Sequence, residues 1–141
     1  MQRSDPAYGL RLDGWTVVLG FFALGNLANG AWMLVDPVHW YQTLPAGVPD
    51  FGPLNEHFVR DIGCAFSLLG AGLALAALIP AWRLSACVAV TGFYVLHAAV
   101  HVLDTVRGLV APEHWLIDLP AVYAPAVILL GLTFVIARAA R

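Results

Sequence analysis

The chain has 141 residues, 60% of them hydrophobic and 11% charged, with a formal net charge of −2. Water-soluble domains carry about 25% charged residues, so the composition sets aside an ordinary aqueous globule, and no basic, aromatic-interleaved run suggests a nucleic-acid surface. A mean hydropathy of +0.78 points instead to the lipid bilayer as solvent and first partner.

Four windows approach the roughly 20 apolar residues that a helix needs to cross a bilayer core. They fall at about residues 15–35, 62–79, 84–103 and 119–137. Hydrocarbon offers backbone groups no hydrogen bonds, so spans of this composition are helices. The expected fold is therefore all-α: one domain over residues 1–141, an integral membrane four-helix bundle.

Residues 1–14 form a polar lead-in. Span one follows it and is read as retained rather than cleaved. Ala28-Asn29-Gly30 loosely resembles a signal-peptide cleavage site, but the apolar run continues through Val35. Asn26 and Asn29 lie three residues apart on one helical face. Packing is the expected role of Asn26, while Asn29 is a candidate site residue.

The loop from Asp36 to Phe58 carries prolines at 37, 45, 49 and 53, which rule out one continuous helix. A connection of this length is typically a lid or binding element, and Trp40, Tyr41 and Phe51 suit a headgroup interface. Span two bears Gly63, Gly70 and Gly72 among alanines, a face suited to close helix approach. A tight turn, Pro80–Arg83, leads to span three. The loop Thr105–Trp115 leads to span four, where Pro120 fits an opening turn and Pro125 a kink. Cys64 and Cys87 belong near opposite ends of their spans, too far apart for a disulfide, and are expected as free thiols.

Orientation rests on arginine alone, since the chain has no lysine. Arg3, Arg11, Arg83, Arg138 and Arg141 fall on one side, against Arg60 and Arg107 on the other. The positive-inside rule then places both termini in the cytoplasm and the proline-rich first loop outside. All five histidines share that outer side.

Helical spacing groups the polar residues there. His57, Asp61 and Cys64 share one stripe of span two; His97, His101 and Asp104 repeat the same four-then-three spacing on span three, with Tyr94 further in. Spans joined by a tight turn are antiparallel neighbours, so the stripes are expected to face each other. Two imidazoles one turn apart, completed by His57 or Asp61, make a ligand set typical of zinc, copper or non-haem iron. The expected metal residues are His57, Asp61, His97 and His101, with Asn29 and Asp104 as further binding residues. Arg60 opposes a cation there unless paired or turned outward. Haem ranks below a metal ion, because His97 and His101 on one helix do not both ligate one ring. For Asp118, Glu113, His114 and His39 the expected role is capping or surface pairing at helix ends, which is also the competing role of Asp104. No hydrolase triad, phosphate loop or Cys-x-x-Cys pair is visible.

The run Asn55-Glu56-His57-Phe58-Val59-Arg60-Asp61-Ile62-Gly63 with its Gly/Ala-rich continuation, and His97-Ala98-Ala99-Val100-His101-Val102-Leu103-Asp104, resemble small bacterial four-span membrane proteins of the loose DoxX-like group. The resemblance covers mainly spans two and three. It implies a four-helix bundle in the bacterial cytoplasmic (inner) membrane and a respiratory or redox association, and it transfers no catalytic residues.

Three functions remain in view. The first is a transition-metal or redox site, the leading expectation. The second is a non-catalytic subunit or assembly factor of a membrane complex, with protein partners or further copies of itself. The third is a small transporter or lipid/quinone-site protein using a His–Asp proton relay. Whether the chain is an enzyme stays open at this level.

Overall fold

The computed structural model describes residues 8–139; Arg3 and Arg141, which count toward the orientation, lie outside the described residues. Helix α1 (Gly14–Val35) starts at Asp13, whose Oδ1 accepts from the N–H groups of Trp15 and Thr16, while Thr16 Oγ1 accepts from the Asp13 N–H. This reciprocal cap satisfies donors that the first turn leaves free. Asp36 closes α1 and opens the short α2 (Pro37–Thr43), with its side chain accepting from His39 N–H and Pro37 in the first turn. A single 3-10 turn, Val48–Phe51, follows. It is flanked by Gly47 (φ 59°) and Gly52 (φ 124°), whose backbone angles disfavour any side chain.

Asn55 caps α3 (Glu56–Leu78). This helix begins six residues before the apolar window at residue 62, because the cap and the polar first turn extend it toward the loop. A 3-10 turn at Pro80–Trp82 leads into α4 (Arg83–Val106), and the short α5 (His114–Ile117) precedes α6 (Ala124–Ala139). Between the last two, Leu119–Tyr123 forms a π turn in which Tyr123 N–H donates to Asp118 O. The widened turn accommodates Pro125, which has no N–H to give to the preceding turn. Including these flanking turns, four helical segments are long and apolar enough to cross a membrane. Their outer faces bear Phe21, Leu68 and Leu96, each at least 70% exposed, which a lipid environment tolerates and water does not.

The tightest packing is α1 on α3 and α4 on α6, with α3 against α4 joining the halves. At the first contact a Cβ on Gly30 would stand 2.8 Å from both Gly63 O and Ser67 N; one on Gly70 would stand 2.9 Å from Leu27 N. The glycine face on span two is thus the α1 seam, although Gly72 lies off it with open space around it. Thr91 Oγ1 donates to Leu129 O (3.1 Å) and shares a 2.7 Å hydrogen bond with Thr133, tying α4 to α6. Asn26 donates to Phe22 O and accepts from Tyr94 OH at 3.2 Å, the packing role expected of it. Both cysteines are free.

At the end opposite the long loop, Arg83 is buried. Its Nη1 and Nη2 donate to the two oxygens of Asp13 at 2.9 Å each, and its Nε donates to Ala76 O. One residue thereby joins the start of α1 to the α3–α4 turn. The hydrogen bonds from Arg83, the largest influence, outweigh the opposing effect of burial and, with the capping N–H bonds and the guanidinium charge, hold the Asp13 carboxyl below its ordinary value of 3.8. A depressed carboxyl adds stability above the unfolded value and loses it as pH falls through the folded one. Arg83→Met is therefore expected to lower the thermal midpoint at neutral pH. The gap to wild type should close as the medium is acidified below 3.8, as read by circular dichroism in detergent.

Candidate functional site

A cavity of about 700 Å³ lies beneath the long loop, between all four long helices. Phe22, Ile62, Phe66 and Phe93 make it mainly apolar, and His97, His101 and Asp104 of α4 supply its polar wall. The loop is its cap. Trp40 of α2 lines the cavity and donates from Nε1 to Asn29 Oδ1 at 2.9 Å; Tyr41 OH donates to Gly52 O at 2.7 Å. These bonds fold the loop back over the helix ends, as a lid of that length and proline content suggests. Phe21 and Phe58 line the cavity and are themselves exposed, so it reaches the lipid-facing surface.

His101 begins a line of four titratable side chains. His101 Nδ1 stands 2.8 Å from Asp118 Oδ2. Asp118 Oδ1 is 3.3 Å from His114 Nδ1, and His114 Nε2 is 3.1 Å from Asp50 Oδ2. Burial changes sharply along the line: the side chains of Asp118 and His114 are 0% and 1% exposed, while that of Asp50 is 61% exposed. Phe51 closes the space beside it, with its ring centroid 4.7 Å from that of His101 and 4.9 Å from that of His114.

The geometry assigns roles. An imidazole between two carboxylates donates from both nitrogens, which favours the cationic ring. Burial disfavours the charge on His114, but the hydrogen bonds and negative charges of Asp50 and Asp118 outweigh it, and its pKa stands above the ordinary 6.5. Asp118, by accepting from His101 Nδ1–H, leaves the other ring nitrogen of His101 as an acceptor. Among the described residues that nitrogen has no hydrogen-bond partner. Beside it, the His97 ring meets His101 edge-on at 4.6 Å and stacks on Phe93.

A histidine whose pKa is raised by folding contributes stability that is complete below its unfolded value and fades as pH rises through the folded one. For the His114–Asp50 contact the window opens near 6.5 and extends upward. Asp50→Asn is expected to destabilise the protein at pH 6 by no more than about 1 kcal/mol, since Asp50 is largely exposed. The difference should shrink as pH rises past the His114 value in parallel thermal melts.

The structure separates the residues expected to form one site. His97 and His101 line the cavity, but His57 and Asp61 do not: they pair with each other at 3.5 Å, with side chains 89% and 60% exposed. The expectation that the two polar stripes face each other is thereby corrected. The Gly63 face of α3 packs on α1, which turns the His57–Asp61–Cys64 stripe outward. Among the described residues no group of three or more His, Cys, Asp or Glu side chains is arranged to hold a metal ion. Arg60 is paired with Glu56 at 3.0 Å. Asn29 and Asp104 both line the cavity; the Asn29 amide is engaged by Trp40, and its Nδ2 reaches Met33 sulfur at 3.8 Å. His39 accepts from Trp32 Nε1, in keeping with a loop role.

Capping or surface pairing does not describe His114 and Asp118, which form the buried centre of the line. Their four-residue spacing just before span four repeats that of His57 and Asp61, and was the one available signal. No protein-family model, curated protein or solved structure matches the chain.

Proposed function

We propose that this is a multi-pass protein of the bacterial cytoplasmic membrane, both termini inside, that binds a lipid-soluble small molecule with an acidic O–H, of quinol or phenol type, in the capped cavity. The observation that carries this reading is the cavity itself: a largely apolar space of about 700 Å³ whose polar wall presents His101 backed by a fully buried carboxylate. Its size lies in the range of small-molecule sites, roughly 300–1,000 Å³, which combine apolar walls with a few placed polar groups. His101 accepts the ligand O–H, and His97 and Asp104 flank it. Entry is from the bilayer past Phe21 and Phe58. The arginines Arg11, Arg83 and Arg138, at the end opposite the cap, support the orientation.

The test is titration of protein in lipid nanodiscs with a short-chain benzoquinol, following tryptophan fluorescence, for which Trp40 in the cavity wall is the reporter. Saturable quenching is expected. His101→Leu should weaken binding about tenfold, the loss of one buried hydrogen bond worth about 1.4 kcal/mol. Quenching that merely follows the probe's partition into lipid, and is equal in the variant, would sink the reading.

A further inference from the structure

The line of four side chains extends past what binding alone requires. Holding His101 in one tautomer needs only Asp118. His114, buried between Asp118 and a carboxylate in the loop, has no part in shaping the cavity, since it does not line it. Its two nitrogens address oxygens of two different carboxylates, one buried and one exposed, so the ring bridges the interior and the surface.

We infer that Asp118, His114 and Asp50 form a proton-exchange path joining His101 at the cavity to the aqueous surface at the capped end. The three separations, 2.8, 3.3 and 3.1 Å, leave no gap that a water must fill. The path begins at a half-buried ring, passes through two buried groups and ends on an exposed carboxylate. In the outward direction the ligand O–H bond breaks as an N–H bond forms at the free nitrogen of His101. The Nδ1 proton of His101 then passes to Asp118 Oδ2. Cationic His114 releases its Nε2 proton to Asp50 and so to water, and tautomer exchange moves its remaining proton from Nδ1 to Nε2. The Asp118 carboxyl then turns about its two-fold torsion and delivers its proton to the vacated His114 Nδ1, which restores the cation. One proton crosses, no group changes oxidation state, and tautomer exchange in the rings restores the start.

Other polar groups near the path are His97 and Asp104 on α4, and Tyr123 on the π turn, whose buried hydroxyl has no hydrogen-bond partner among the described residues. None of them is hydrogen-bonded to a member of the path, so among the described residues Asp50 is its exit. Phe51 follows it in the same turn and covers both imidazoles, so the loop supplies the terminal proton group and its hydrophobic seal together.

This inference rests on the proposed reading only in naming the proton's source, and its test begins without a ligand. In protein carrying nitrogen-labelled histidine, NMR reads proton exchange between the His114 ring and water. Asp50→Asn is expected to slow it about a hundredfold, the low end of what a positioned proton-transfer group contributes. Asp50→Glu, or added formate, should restore it, which a merely structural role for Asp50 would not produce. An unchanged rate in Asp50→Asn overturns the path whatever the cavity binds, as does a slowed rate that neither Glu nor formate restores. A second measurement follows a lipid-soluble nitrophenol, whose colour reports its protonation, after a pH jump. Wild type is expected to change colour promptly, and Asp50→Asn to slow the colour change while leaving the dissociation constant unchanged. Normal histidine exchange with no saturable nitrophenol or benzoquinol binding supports the path and overturns the proposed ligand class.

Discussion

Asp118→Ala is expected to destabilise the protein by about 3–5 kcal/mol, the cost of removing one member of a buried, charge-assisted network and leaving its partners behind. Asp118 is fully buried and is the common partner of His101 and His114. Its loss leaves two ring nitrogens without acceptors, one of them in a ring that is itself 1% exposed. The two histidines belong to different elements, α4 and α5, so the second loop loses one of its ties to the bundle. Asp118→Asn should cost less, because the amide keeps one acceptor oxygen and the shape of the side chain. Unfolding in mixed micelles, followed by circular dichroism, measures both. Equal stability of wild type and the alanine variant would remove Asp118 from the account of the fold as well as of the site.

Gly30→Ala is the second large expected effect. The added Cβ would stand 2.5 Å from Ser67 Oγ and 2.8 Å from two backbone atoms of α3. The hydroxyl can rotate away, but the backbone atoms yield only if α1 and α3 separate. Overpacking of this kind costs about 1–3 kcal/mol, and the shift would also move Asn29 and Met33, which line the cavity from the same helix. Gly72→Ala is the control. Nothing stands within 4 Å of its added Cβ, so it should be neutral or stabilising by up to about 1 kcal/mol, as Ala for Gly in a helix is. Comparable losses in the two variants would show that helix separation is not the cause.

The contrast between these glycines shows how much of the fold was legible beforehand. Composition and run length were sufficient for four helices, because a bilayer-spanning backbone must satisfy itself and does so over about 20 apolar residues. Proline spacing was likewise sufficient to break the Asp36–Phe58 segment, and Asn26 was recognisable as a packing residue. Helical phase grouped His97 with His101 correctly. Phase within one helix does not say which face meets which neighbour, however. Gly63, Gly70 and Gly72 look alike in the chain, and only the contact with α1 distinguishes the first two.

The same limit governed the candidate site. His57–Asp61 and His114–Asp118 share one spacing in the chain, and the first pair was favoured because a tight turn joins its span to the one that bears His97 and His101. Close packing of α1 on α3 spends the glycine face of α3 and turns His57 and Asp61 outward. The π turn before Pro125 and the fold of the capping loop bring His114 and Asp118 under Phe51 and against His101. The chain by itself determined four helices long and apolar enough to cross a membrane, with histidines gathered at one end, since those properties depend on composition and period. Which histidines meet a carboxylate in the interior depended on helix rotation and on contacts between Asp50, His101 and His114, residues far apart in sequence. Only the tertiary structure decided that.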